Sequence, residues 1–293
     1  MTAEKIIMSV CKVCFRHCDL KEGQTGFCGA RVCRDGKVTA ANYGRVTSLA
    51  LDPIEKKPLN RFHPGSMILS VGSYGCNLRC PFCQNSGISW SEEAFASAKT
   101  AETVTPGELA AAAVRLRSKG NIGLAFTYNE PLIGYEFVRD TAKLVHEAGL
   151  VNVLVTNGTA ELCVLEELLP YTDAMNIDLK GFTDGYYNDV LHGNRKQVTD
   201  LIECAVKHCH VELTTLIVPG HNDSEDEMRA ISGWISGLKN GSGAVTGHDI
   251  PLHISRFFPR FRMTDRSATD VSLIYRLADI AREKLNFVYT GNC

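Results

Sequence analysis

The stretch "MILSVGSYGCNLRCPFCQN", residues 67–85, joins a short apolar run to a loop that carries three cysteines. The run from Met67 to Gly72 is apolar and bounded by glycine, the pattern of a strand buried on both faces. Similar runs return as "IGLAFT" (122–127), "VNVLVT" (151–156), "DAMNIDL" (173–179), "VELTTLIV" (211–218) and "PLHIS" (251–255). Helical periodicity lies between them, at 106–119 after "TPGE", 131–148, 160–169, 195–208, 224–237 and 270–284. Strand alternating with helix through the chain predicts an α/β fold with a parallel sheet and right-handed crossovers. Periodicity alone leaves an open doubly wound sheet and a full or partial barrel both available. The strand exits favour the barrel, where function gathers at the C-terminal ends. Those exits read "GSYGCN", "TYNEP", "TNG", "DLKG", "VPGHND" and "HISRF", each rich in polar groups.

Upstream of residue 66 the pattern changes. Five cysteines and many glycines occur there with little sustained periodicity, so 1–65 is expected to be a small Cys-rich module and 66–293 the core domain. The chain has no internal repeat, and "GLKNGSGAVTG" (237–247) is expected to be a surface loop.

Composition narrows the function classes without excluding nucleic acid. With 293 residues, 44% of them hydrophobic, the chain can bury a large core, and a net charge of −2 gives no general attraction for nucleic acid. It has no apolar run of about 18 residues and no signal-like opening, so a cytoplasmic protein without a membrane span is expected. Twelve cysteines in such a chain point to metal or redox chemistry over a disulfide framework. Cys163, Cys204 and Cys209 fall in helix-like stretches and read as small buried apolar residues.

Cys76, Cys80 and Cys83 are spaced C-x3-C-x2-C in a loop with no fourth cysteine beside them. Three thiolates can hold three corners of an iron–sulfur cube and leave one iron open to a small chelating molecule. Packing residues, or zinc completed by a distant histidine, are the alternatives. Cys11, Cys14, Cys18 and Cys28 form a second set, C-x2-C-x3-C-x9-C, with His17 inside it and Cys33 close behind. A closed metal site is expected, and the spacing accepts either zinc or an iron–sulfur cluster. The nearby "DPIEKKPL" (52–59) reads as a solvated turn with paired charges, and nothing in its residues argues for catalysis.

The loop "CNLRCPFC" resembles the cluster loop of the radical S-adenosylmethionine (SAM) superfamily. "TNG", "NIDLKGFTDGYYNDVLHGN", "TTLIVPGHNDSEDEM" and "PLHISRFFP" resemble the core of activating enzymes for pyruvate formate-lyase and other glycyl radical enzymes. "CKVCFRHCDLKEGQTGFCGAR", "YGRVTSLALDPIEKKPL", "HPGSMILSVGSYGCN" and "FTYNEP" are similar to the AmmeMemoRadiSam branch. The resemblance covers nearly the whole chain. It implies a partial (β/α)6 barrel that holds a 4Fe–4S cluster on Cys76, Cys80 and Cys83 and binds SAM across the strand ends.

The implied chemistry is reductive cleavage of SAM to a 5′-deoxyadenosyl radical, with no side chain as primary oxidant. The implied SAM contacts are Asn85, the exit Tyr128-Asn129-Glu130 toward the methionine amine, and Thr156 and Asn157 toward ribose or carboxylate. Lys180, oriented by Asp178, would meet the methionine carboxylate, and His253 the nucleoside. The implied partners are an electron donor such as flavodoxin or ferredoxin and a protein substrate. A small-molecule substrate, or a non-enzymatic iron–sulfur carrier, is the alternative. The chain departs from pyruvate formate-lyase activators at Val155, where they carry an aspartate associated with a monovalent cation, and in having its extra cysteines before the cluster loop.

Overall fold

The computed structural model describes residues 8–98 and 100–293; the first seven residues of the expected N-terminal module lie outside them. Two small hairpins open the chain. Strand β1 (Met8–Val10) pairs antiparallel with β2 (Asp19–Lys21), and β3 (Arg31–Arg34) with β4 (Lys37–Ala40). The short β5 (Arg45–Val46) pairs with β8 (Glu102–Thr103). Residues 48–53, expected within the N-terminal module, form β6 (Ser48–Pro53), which pairs antiparallel with β7 (Met67–Gly72) and so edges the main sheet.

That sheet has eight strands in the order β14-β13-β12-β11-β10-β9-β7-β6. All six expected strands are present, as β7, β9 (Asn121–Phe126), β10 (Val151–Thr156), β11 (Ala174–Asp178), β12 (His210–Ile217) and β13 (Leu252–Arg256). A seventh parallel strand, β14 (Val288–Gly291), follows β13. The barrel is partial: β6 and β14 are the two edges and do not pair with each other.

The crossovers are the expected helices, and four of the six start at a side-chain cap. Helix α3 (Pro106–Arg115) has a capping box between Thr105 and Glu108 with proline in its first turn. Gly134 precedes α4 (Tyr135–Glu147), and α5 (Leu162–Leu168) follows Glu161. Asn194, Ser224 and Asp270 side chains cap α6 (Arg195–Ala205), α7 (Glu225–Ser236) and α8 (Val271–Arg282). Two further helices after the cysteine loop, α1 (Ser86–Ser89) and α2 (Glu92–Ala98), were not anticipated.

The sheet buries its two faces differently. Helices α3 to α8 cover the outer face in one continuous apolar core that includes Leu124, Leu154, Ile177, Leu213 and Ile254. On the inner face Ile68, Ala125, Val153 and Ala174 pack under Ile54 and Leu59 from the 54–59 segment. Period-two alternation then turns Asn176, Glu212, Thr214 and His253 inward as well, in a register that sets Asn176 against Glu212 and Thr214 against His253. The inside is therefore apolar under the plug and polar elsewhere.

Candidate functional site

Strand β7 delivers its chain directly into the cysteine loop, and the turn is set by Gly75. Its φ is +96°, and a Cβ there would stand 2.6 Å from the Ala30 Cβ and 3.0 Å from the Cys28 carbonyl oxygen. Only glycine lets the loop pass this close to the N-terminal lobe. The Cys76 amide donates to that Cys28 oxygen at 3.1 Å. Arg79 fastens the loop further, donating to the Cys76 oxygen at 2.7 Å and the Leu78 oxygen at 2.8 Å, and also to the Phe27 oxygen.

A cavity of about 610 Å³ lies at the strand ends, large enough for a nucleoside-sized ligand. Cys76, Cys80 and Cys83 line it, and no other cysteine does. Asn85, Tyr128, Asn129, Glu130, Thr156, Asn157, Asp178, Lys180 and His253 line it too, so the structure brings every expected SAM contact to one cavity. Val155 shares that wall.

The thiols fit the three-ligand half of an iron–sulfur cluster. Hydrogen-bond donors reach the sulfurs: the Leu78 amide to Cys76 at 3.4 Å, and Asn157 Nδ2 to Cys76 at 3.6 Å. The Ser89 hydroxyl lies 3.6 Å from the Cys83 sulfur. Such contacts stabilise cluster thiolates. Burial pushes the Cys80 thiol up to about 12 and Cys76 well above its ordinary value, so these cysteines are protonated until a metal displaces the proton. Among the described residues, no group of three or more His, Cys, Asp or Glu side chains is drawn together as the ligands of one metal ion would be.

The strand-exit residues form a connected scaffold. Glu130 is almost wholly buried and accepts from the Thr156 hydroxyl at 2.6 Å, the Asn157 amide at 2.7 Å and the Leu132 amide at 3.0 Å. Burial pushes its carboxyl up to about 7 against the pull of those bonds. Asn129 holds the start of the cysteine loop, accepting from the Ser73 amide at 3.0 Å and donating to the Tyr74 and Gly75 oxygens at 3.2 Å. Asn157 also donates to Asn77 Oδ1 at 3.0 Å. Thus much of "TYNEP" and "TNG" binds the protein to itself around the loop.

Lys180 Nζ donates to Asp178 Oδ2 at 2.6 Å, the orientation expected for it. Burial would lower the lysine, but the Asp178 charge and hydrogen bond hold it above its ordinary value, so it stays cationic. His253 meets Glu212 Oε2 at 2.6 Å and stacks on Tyr289 with centroids 5.2 Å apart. Asn85 is exposed at the start of α1 with no side-chain capping bond, leaving its amide available to the cavity.

Tyr128, which lines the cavity, and Asp52 and Lys57 behind it were not singled out from sequence as a unit. Tyr128 has φ +71°, a left-handed conformation costly for a side-chain-bearing residue. Its hydroxyl donates to Asp52 Oδ2 at 2.8 Å, and Lys57 Nζ lies 4.8 Å from its ring centre. Lys57, only 3% exposed, donates to the same Asp52 oxygen at 2.9 Å. The signal was the charged "DPIEKKPL", whose partner tyrosine is too distant in sequence to pair by spacing.

In the N-terminal lobe Cys11, Cys14 and Cys28 are buried and Cys18 is half-buried. Cys33 is fully buried on β3, whereas, against expectation, Cys163 is exposed and Cys204 and Cys209 are only half-buried.

Residues 70–231 match the family model of the radical SAM superfamily. An uncharacterized protein of Methanocaldococcus jannaschii is 38% identical over 285 residues, which cover 96% of this chain and 80% of that one. The pyruvate formate-lyase-activating enzyme of Clostridium pasteurianum is 30% identical over 57% of this chain and 68% of its own. Among solved structures, Streptococcus suis SuiB bound to S-adenosylmethionine superposes with a TM-score of 0.57 at 12% identity. The match covers 77% of this chain and about half of SuiB, 52%, and it speaks for the fold alone.

Proposed function

Because the chain belongs to the radical SAM superfamily, we propose that this enzyme abstracts hydrogen from a polypeptide partner, in the manner of a glycyl radical activating enzyme. A 4Fe–4S cluster and SAM, which the family implies, together supply one-electron reductive cleavage of SAM to a 5′-deoxyadenosyl radical when bound. The residues around them bind and orient. Cys76, Cys80 and Cys83 hold the cluster and leave an iron without a protein ligand. Cationic Lys180, steadied by Asp178, attracts the methionine carboxylate. The Tyr128-Asn129-Glu130 exit lies toward the methionine amine, Thr156 and Asn157 toward the ribose or carboxylate, Asn85 beside the cluster ligand, and His253 toward the nucleoside. No side chain acts as the oxidant.

The observation that carries the reading is a cavity in which three thiols and a half-buried ion pair meet, at the mouth of a sheet whose edges do not close. The gap between β6 and β14 supports a polypeptide substrate, since a small molecule is usually enclosed on most sides. The twelve cysteines form no disulfide, which suits a reducing compartment such as the cytoplasm and a donor such as flavodoxin or ferredoxin. Among the described residues no helix is long and apolar enough to cross a membrane.

The test is anaerobic incubation of the reconstituted enzyme with SAM, dithionite and deuterated candidate proteins. The expected result is 5′-deoxyadenosine carrying deuterium from a protein. Label arriving only from a small metabolite would reject the polypeptide substrate, and no 5′-deoxyadenosine at all would reject SAM cleavage.

A further inference from the structure

We propose that the outer side of the cysteine loop docks an acidic one-electron carrier protein, attracted by Arg16, Arg79 and Arg262. The loop is a wall with a cavity on each side. Leu78, Cys80 and Phe82 line the first cavity, whereas Arg79 and Pro81 between them line a second one of about 560 Å³. Trp90 is the one residue that lines both.

Three separate parts of the chain bring guanidinium groups to this outer side and share two rings there. Arg16 lies 3.4 Å and Arg79 3.9 Å from the centre of the Phe27 ring, and Arg79 at 5.0 Å and Arg262 at 5.2 Å share the Trp90 ring. Backbone contacts fix them in place. The Arg262 amide donates to the Pro81 oxygen at 2.9 Å, and Arg16 donates to the Asn77 oxygen at 3.1 Å and to the His192 oxygen. Every hydrogen bond from the Arg16 and Arg79 side chains goes to a backbone carbonyl, which has no charge to cancel theirs. Among the described residues, the ion pairs made by arginines involve other arginines. Asp189 is the only carboxylate lining the cavity, and Glu93, exposed on α2, lies near Arg262. Since the whole chain carries a net charge of −2, attraction for an acidic partner has to come from such a local patch.

The side of the loop decides the class of partner. A hydrogen atom passes only to a radical in contact with it, and a radical formed from SAM would lie in the first cavity. A partner on the outer side is screened from that radical by the loop, yet an electron can tunnel through so thin a wall. The carrier loses one electron, the cluster gains it, and no atom moves. Redox encounters of this kind need only a small interface. Nucleic acid is disfavoured because guanidinium groups already cover the Phe27 and Trp90 rings, where bases would stack. The proposal rests on Cys76, Cys80 and Cys83 holding a cluster, and not on the substrate of the enzyme.

The experiment follows, by stopped-flow absorbance, reduction of the anaerobically reconstituted full chain by flavodoxin hydroquinone, an acidic probe. Arg262→Glu is the main variant, because this side chain is exposed and its fixing bond is made by the backbone. It should slow the second-order rate about 10-fold at an ionic strength of about 0.01 M, and hardly at all at about 1 M, where charges are screened. Arg262→Lys should keep the parent's rate, and Asp189→Asn should raise it. Lys239→Glu makes the same change of net charge at an exposed lysine outside the patch and should leave the rate unaltered. Photoreduced deazariboflavin, a small neutral reductant that needs no docking, should reduce every form alike. Binding of oxidised flavodoxin to the full chain, read by biolayer interferometry, should weaken in Arg262→Glu and not in Lys239→Glu. Equal flavodoxin rates for parent and Arg262→Glu at low salt overturn the proposal, as does an equal loss in Lys239→Glu or with deazariboflavin. An Arg262→Glu form that is reduced normally but takes less deuterium from a protein also overturns it, because the surface would then belong to the substrate. If reduction follows Arg262 while SAM is never cleaved, the radical SAM reading fails and this one stands.

Discussion

The Thr156 hydroxyl donates to Glu130 Oε1 at 2.6 Å, joining the exits of β9 and β10 across the floor of the cavity. Glu130 also takes the Asn157 amide, and Asn157 in turn reaches Cys76. One buried carboxyl therefore sets the height of the cysteine loop relative to two strand ends.

Glu130→Gln replaces a two-oxygen acceptor with one oxygen and a donor that faces other donors. Loss of a buried charge-assisted bond costs about 2–3 kcal/mol. For a chain this long the melting temperature should drop by roughly 4–10 °C. The cluster content after reconstitution should fall as well, because Asn157 loses its anchor. Unchanged melting together with full iron content would show that this carboxyl is not the anchor.

Glu212 sets the opposite wall, where it accepts from the Asn60 amide at 3.0 Å, the Arg61 amide at 2.7 Å and His210 at 3.0 Å, besides His253. Burial would raise its carboxyl, but the bonds from His210, His253 and the two amides bring it from 4.5 to about 2. The folded value lies below the unfolded one, so the anion's contribution is complete above about 4.5 and is lost as pH falls toward 2. Glu212→Gln should therefore be less stable than the parent in urea at pH 6. The gap should narrow between pH 4.5 and pH 2. A gap that stays constant through that window would mean the carboxylate charge contributes nothing.

Lys180→Met keeps the length of the side chain and removes its charge. If Lys180 meets the methionine carboxylate, the loss of one charge-assisted bond weakens SAM binding by about 10- to 100-fold. Asp178→Asn should weaken it less, since the lysine remains and only its orientation suffers. Calorimetric titration of reconstituted protein with SAM measures both. Equal affinity in parent and Lys180→Met would remove this lysine from the site.

The sequence was most readable where physics is local. Central parallel strands are buried on both faces, so β7, β9 and β10 announce themselves as apolar runs. Helices α3 and α7 announce their starts through Thr105 with Glu108 and through Ser224. Strand β14, "VYTG", is too short and half polar to stand out, and β6, "SLALDP", is an edge strand half exposed among glycine-rich turns. At the site, the cysteine spacing and strand exits were legible because each is contiguous. Glu212 was not, because a glutamate in a strand looks solvent-facing until the Asn60–Arg61 loop is folded over it. Asp52 was not, because its partner Tyr128 is 76 residues away.

That partnership yields the last prediction. Asp52 accepts from Lys57 and Tyr128, and although burial would raise its carboxyl, those bonds hold it at about 2. Lys57 is nearly sealed from solvent, and burial lowers its own affinity for a proton. Asp52→Asn leaves that cation without a counter-charge and frees the Tyr128 hydroxyl. Breaking a buried pair from one side costs about 3–5 kcal/mol. The strained Tyr128 backbone, no longer held by its ring and hydroxyl, should relax and displace the exit that leads to Glu130. The double variant Asp52→Asn, Lys57→Met removes both charges, and it should recover most of the lost stability while the Tyr128 hydroxyl remains without its carboxylate. Urea unfolding of the parent, both single variants and the double variant measures the coupling. Additive losses would mean the two charges act independently, and Tyr128 would then owe its conformation to packing alone.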